Sequence, residues 1–115
     1  MRVVILGAGI SGHTAALILR RKLSRAHEVV VVTPNARWNW IPSNIWVGVG
    51  KMGVDDVTFP LAKVYTKHKI RYEQAKATEL HPEGDDQRGP YIVAERTDPE
   101  RSGERLELTY DYLIN

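Results

Sequence analysis

Gly7, Gly9 and Gly12 stand in the spacing Gly-x-Gly-x-x-Gly directly after the apolar run Val3-Val-Ile-Leu6. The chemistry this spacing can do is phosphate binding. Gly7 allows a tight turn, Gly9 lets backbone approach a pyrophosphate, and Gly12 lets the following helix pack closely on the strand. The phosphates would then sit on free N–H groups at the start of that helix, where the dipole favours negative charge. The motif reads as a dinucleotide site, with a ligand-free glycine turn as the alternative.

No second constellation competes with it. His13, His27, His68 and His81 are scattered without metal-ligand spacing. His13 follows Gly12 directly and is read as a surface histidine, with a place near the phosphates as the alternative. Asp55-Asp56 is a helix-start feature rather than a catalytic pair. The chain has no cysteine, which excludes disulfides, thiolate metal sites and a thiol nucleophile within these residues. No catalytic residue and no metal ligand is assigned.

The elements that must hold the turn are legible around it. Val3 to Leu6 has the continuous apolar character of a parallel strand covered on both faces. His13 to Arg25 places Ala15, Ala16, Leu19 and Leu23 on one helical stripe, with Arg20, Arg21, Lys22 and Arg25 outside it and near the helix end. Val29 to Val32 is a second buried strand, which completes a strand–helix–strand unit. Thr33-Pro34-Asn35-Ala36 breaks that strand. The next segment holds all three tryptophans, Trp38, Trp40 and Trp46, and reads as a structured loop with one helical turn capped by Ser43 after Pro42. Its tryptophans are either packing bulk for a lid or make direct ligand or membrane contacts. Within the stretch Asp55 to Lys69, a helix is expected to start at Pro60, with Leu61, Val64 and Tyr65 as its apolar stripe. Lys69 to Glu73 is a short strand, and Ala75 to Leu80 continues extended. From His81 to Thr109, turns alternate with the strands Tyr91–Arg96 and Arg105–Thr109, a small meander.

At 115 residues the chain is expected to form one domain. A formal net charge of +2, with no basic block beyond Arg20-Arg21-Lys22, which reads as a solvated helix end, does not indicate a nucleic-acid footprint. The first strand begins at once, so no leader is expected; no stretch is apolar enough to span a bilayer, and the segment is expected to be soluble. Tyr110 to Asn115 reads as another buried strand with no crossover after it. These residues are therefore expected to be the front part of a longer protein. The fold class is α/β, a Rossmann-like domain over residues 1–115 with a parallel sheet, helices and an antiparallel β-meander at 81–109.

Four stretches together resemble the flavoprotein family of sulfide:quinone oxidoreductases: Gly7-Ala-Gly-Ile-Ser-Gly12, Ile41-Pro-Ser-Asn-Ile-Trp-Val-Gly-Val-Gly50, Asp55-Asp-Val-Thr-Phe-Pro-Leu61 and Tyr110-Asp-Tyr-Leu-Ile114. The second is the most specific, and departs from the family's usual proline at Ile45. The resemblance covers only the front part of a family member, before the Ala-Thr-Gly that follows the last strand. It implies FAD as cofactor, with Gly7, Gly9, Ile10, Ser11 and Gly12 at the pyrophosphate, Pro42, Ser43 and Asn44 near the ribityl chain and isoalloxazine, and the backbone of Lys76 and Ala77 at the adenine. An acid is expected at the ribose; Thr33-Pro34-Asn35 stands there instead, with Asn35 as the acceptor and Thr33 next in line. The resemblance further implies sulfide and quinone as partners of the whole enzyme, redox cysteines beyond Asn115, a place peripheral to a bacterial cytoplasmic membrane, and self-association without activity for this segment alone. A type II NADH dehydrogenase, a flavocytochrome sulfide dehydrogenase or a non-catalytic nucleotide-binding module are the alternatives.

Overall fold

Four consecutive valines can all be buried only in a strand covered on both faces. The computed structural model, which describes residues 1–115, covers both. β1 (Arg2–Leu6) leads into α1 (Ile10–Lys22) and returns as β2 (Glu28–Thr33), parallel to β1 with Val3 beside Val29 and Leu6 beside Val32. Val29 and Val31 face one way, into a core with Val3, Ile5 and Ala16, and with Leu61, Tyr65 and Ile70 from α4 (Leu61–His68) and its exit. Val30 and Val32 face the other way, into a second core with Val4, Ala75, Ile92, Ala94, Leu106 and Leu108. The alternation of a strand thus makes three layers: helices, parallel strands and meander.

The meander grows from one long strand. β5 (Arg71–His81) runs parallel to β2 over Arg71 to Gln74 and then turns to pair antiparallel with β6 (Tyr91–Arg96), its register shifting between Ala77 and Glu79. β7 (Arg105–Thr109) adds to β6, and β8 (Tyr112–Ile114) returns to lie parallel to β1 on its free side. The six-stranded order is β7-β6-β5-β2-β1-β8. The sequence expectation of an α/β, Rossmann-like sheet with a meander therefore holds, with β5 one strand where two extended pieces were read. No helix is long and apolar enough to cross a membrane.

Several boundaries differ from the sequence reading. α1 starts at Ile10 rather than His13 and stops at Lys22, with Leu23 closing it through an N–H bond to the Leu19 carbonyl. Arg20 is not on the solvated side: it is 9% exposed, because its guanidinium donates to the carbonyls of Leu23, Ser24 and His27 and so ties down the loop after the helix. The helix expected from Pro60 forms as α4, with Pro60 as its N-cap and Leu61 and Tyr65 buried; what the sequence did not show is the pair of short elements before it. A short helix α3 (Val54–Val57) is followed by β4 (Thr58–Pro60), which pairs with β3 (Arg37–Asn39), and only then does α4 begin. Between β3 and α3 lie a 3-10 turn (Ile41–Ser43) and the short helix α2 (Asn44–Gly48). Ser43 makes no capping hydrogen bond. Asp56 does, accepting from the Gly53 N–H at 2.7 Å, as an acid in a helix's first turn should.

An ionic ladder crosses the meander side of the sheet. Arg2 donates to Glu28 at 2.6 Å, Arg71 bridges Glu28 and Glu73 at 3.2 and 2.8 Å, and Arg96 reaches Glu73 at 2.7 Å. Burial alone would raise the Glu73 carboxyl, but hydrogen bonds from Arg96 and Arg71 outweigh it and hold Glu73 below its ordinary value. Burial acts the same way on Glu28, where Arg2 and Arg71 reverse it. Both carboxyls are depressed, so their stabilisation is complete above the ordinary value of 4.5 and is lost as pH falls through the lower folded values. Glu73→Gln should leave two arginines facing a neutral amide and cost about 3 kcal/mol in urea unfolding at neutral pH. That difference should shrink as pH drops below 4.5, where the wild-type carboxyl also becomes neutral; an undiminished difference in acid would rule out the ion pairs as its source.

Candidate dinucleotide-binding site

The turn between β1 and α1 separates the roles of its glycines. Gly7 has φ +93, a left-handed conformation that a side chain would strain, and its N–H donates to the Val32 carbonyl at 2.8 Å. Gly12 is held by contact: a Cβ there would lie 2.2 Å from the Gly7 carbonyl oxygen. Gly9 has neither constraint. Its φ of −72 is ordinary, and a Cβ would meet nothing within 4 Å. The space over Gly9 is open.

That space is a cleft of about 450 Å³ lined by Leu6, Gly9, Ser11, Gly12, Ile114 and Asn115 among others. It lies where β1 is flanked by β2 on one side and β8 on the other, the point at which strand order reverses and ligands bind in open α/β sheets. The N–H groups of Ile10, Ser11 and Gly12 have no intrahelical acceptor, the first helical bond being His13 to the Gly9 carbonyl. No acid occupies the first turn of α1. Free donors, a favourable dipole end and open space above a residue without a side chain suit a diphosphate group.

The remaining site residues divide into two sets. Ala77 lines a second cleft of about 180 Å³ that shares Leu6 and Asn115 with the first, so the bulged part of β5 is brought to the turn, with Lys76 exposed beside it. Asn35 is exposed and its amide makes no hydrogen bond, while its backbone carbonyl accepts from the Tyr72 hydroxyl at 2.6 Å. The Pro34 carbonyl accepts from Thr97 at 2.8 Å. Thr33 is buried. Pro42 and Asn44 are exposed and Ser43 half-buried on the segment between β3 and β4, and they line neither cleft.

Comparison with known proteins decides the superfamily. Over 112 residues, 97% of the chain, it is 24% identical to a sulfide-quinone reductase of Aquifex aeolicus. The solved sulfide:quinone oxidoreductase from that organism superimposes with a TM-score of 0.78 at 23% identity over 97% of the chain. A NAD-dependent persulfide reductase from A. fulgidus gives a TM-score of 0.75 at 27% identity over 98% of the chain. The chain has the fold of FAD/NAD(P)-binding domains in the pyridine nucleotide-disulfide oxidoreductase-like superfamily. It spans less than a quarter of these relatives, 23% of the reductase and 20% of the persulfide reductase. No protein-family model matches.

Within this superfamily domain, His13 is a residue the sequence reading placed wrongly. It is half-buried rather than on the surface, its Nδ1 lying 2.8 Å from the Tyr65 hydroxyl. Trp38, Phe59 and Tyr65 surround its ring with centroids 5.5 to 5.7 Å away. Burial, with His68 nearby, lowers its basicity and so favours the neutral imidazole. Burial likewise pushes the Tyr65 phenol above its usual range and raises Tyr72 to about 12. Of the tryptophans, Trp38 is packing bulk. It stacks on Phe59 at 5.1 Å and on Trp40 at 5.8 Å, and the contacts of Trp38 and Phe59 with His13 hold the β3–β4 pair against α1. The signal in the sequence was the Trp38–Phe59 pair, which acquires meaning only once β3 and β4 are known to pair.

The glycine roles are separable by experiment. Gly12→Ala should lose more than about 2 kcal/mol in thermal or urea unfolding, because backbone must move. Gly9→Ala should change stability by less than about 1 kcal/mol. Equal losses would show that Gly9 too is a packing residue, not the floor of a cleft.

Proposed function

We propose that this chain is the FAD-binding front segment of a sulfide:quinone oxidoreductase-like flavoenzyme. The observation that carries the cofactor reading is the open space over Gly9 beside three unpaired N–H groups at the strand-order reversal. Support for the finer reading comes from the loop Ile41 to Gly50, whose sequence resembles that family's, and from the relative named as a sulfide-quinone reductase.

In this reading the backbone N–H groups of Ile10, Ser11 and Gly12 hold the pyrophosphate, and Gly7 and Gly9 admit it. The Asn35 amide accepts from a ribose hydroxyl. Thr33, being buried, fixes the strand end rather than touching the sugar. The backbone of Lys76 and Ala77 borders the adenine, and Pro42, Ser43 and Asn44 approach the ribityl chain and ring. FAD, when bound, supplies the two-electron redox chemistry; the residues here bind and orient it. Sulfide and quinone as partners, and a place peripheral to a bacterial cytoplasmic membrane, belong to the whole enzyme. A type II NADH dehydrogenase or flavocytochrome sulfide dehydrogenase would use the same segment, and a purely nucleotide-binding module would lack any downstream catalytic region.

Gly9→Val should abolish flavin retention by the full-length enzyme while the fold survives, because the added methyls enter the space the pyrophosphate needs. Normal FAD content in that folded variant would sink the assignment. Asn35→Ala should weaken FAD by about 0.5 to 1.5 kcal/mol, one neutral hydrogen bond; unchanged affinity would place the ribose contact elsewhere.

The 115-residue chain by itself should purify without flavin and self-associate. Ile41, Ile45, Trp46 and Val49 are exposed on one short segment, and such patches tend to be hidden by association. No sulfide-dependent quinone reduction is expected even with added FAD. A yellow, active monomer would contradict this division of labour.

A further inference from the structure

At the far end of α1 from the glycine turn, about 18 Å away by helix rise, a second cleft of about 610 Å³ opens between the C-terminal ends of α1 and α4. Arg20, Arg21, Arg25, Lys67 and His68 line it. Its distinguishing feature is the absence of any acidic partner. Seven of the chain's ten arginines are in ion pairs: Arg2, Arg37, Arg71, Arg88, Arg96, Arg101 and Arg105. The three that are not, Arg20, Arg21 and Arg25, all line this one cleft.

Arg20 lies beneath it as a charge 9% exposed. Its terminal nitrogens are occupied by carbonyls, its Nε has no partner, and it makes no ion pair, the nearby Glu28 being engaged by Arg2 and Arg71. Cations do complement helix C-termini, but each dipole end carries only about half a negative charge. Two such ends offset roughly one of the four full charges of Arg20, Arg21, Arg25 and Lys67, leaving an excess near three. The walls present guanidinium forks, which match the paired oxygens of phosphate. A volume of several hundred Å³ accommodates a small polyanion rather than a single ion.

We propose that this cleft is a second anion site, for a multivalent phosphate group, distinct from the glycine turn. The group is either free, as in a polyphosphate, or carried on an anionic phospholipid headgroup. The inference does not depend on the flavin reading, since no residue is shared between the two clefts.

The test is calorimetric titration of the chain with tripolyphosphate at low salt, alongside three variants. Arg21→Gln/Arg25→Gln/Lys67→Gln removes exposed cations from the cleft and leaves buried Arg20 in place. Lys51→Gln/Arg101→Gln/Arg105→Gln removes equal charge elsewhere. Gly9→Val blocks the glycine turn. Binding at the cleft should weaken about tenfold or more in the cleft variant, as lost charge-assisted hydrogen bonds require, and little in the charge control, while Gly9→Val removes only the ligand held at the glycine turn. Equal weakening in the charge control, or loss with Gly9→Val while the cleft variant binds normally, would overturn the proposal. Single Arg25→Gln, read the same way, stands in should the triple variant lose its circular dichroism.

Co-sedimentation with phosphatidylcholine vesicles containing phosphatidic acid identifies the source. Vesicle binding lost in the cleft variant assigns the lipid headgroup. Tripolyphosphate binding without vesicle binding assigns a free ligand. Binding of neither overturns the site.

Discussion

Val30 and Val31 are neighbours in the chain and both are fully buried, one toward the meander and one toward the helices. That double burial is the constraint on which the rest depends. Each valine removed from water is worth about 1.5 to 3 kcal/mol, and neither face of β2 can be left open without forfeiting it. α1 and α4 cover one side, and β5 turns out of the parallel sheet so that β6 and β7 can cover the other. With both faces closed, the ends of the strands are where the molecule can meet a ligand. At the C-terminal end of β1 the glycine turn keeps helix and strand close enough that only Gly12 fits, and so aims the first turn of α1 at the open cleft.

The two ends of α1 carry opposite arrangements of the same element. Its N-terminus presents backbone donors without acids, and its C-terminus gathers arginines without carboxylates. Elsewhere the arginines are organised into pairs, as in the ladder from Arg2 through Glu28, Arg71 and Glu73 to Arg96. That ladder lets polar side chains share the meander side of the sheet with an apolar core. A partly buried ladder of this kind depends on every member, because removing one carboxylate strands the arginine at its end and leaves Arg71 with one partner instead of two.

Much of this was legible in the residues because it is local. β1, β2, β6 and β7 follow from short apolar or alternating runs, and the meander from the turn residues between them. What escaped the reading is non-local. Trp38 and Phe59 are cross-strand partners separated by an irregular stretch, so neither three-residue strand has a period of its own. Arg20 looks like one of a solvated basic triplet until the loop carbonyls of Leu23, Ser24 and His27 come within its reach. His13 likewise looked exposed because its partners, Tyr65 and Trp38, arrive from elements far along the chain. At the candidate site the glycines were readable from spacing, whereas the approach of Ala77 rests on the bulge in β5.

The central claim is that free backbone donors at the start of α1 form a diphosphate site. Backbone amide resonances of the chain, followed while ADP or FAD is added, test it most directly. Saturable shifts at Ile10, Ser11 and Gly12, absent in Gly9→Val, are the predicted result. Shifts confined to other residues, with those three amides unmoved at saturation, would contradict it.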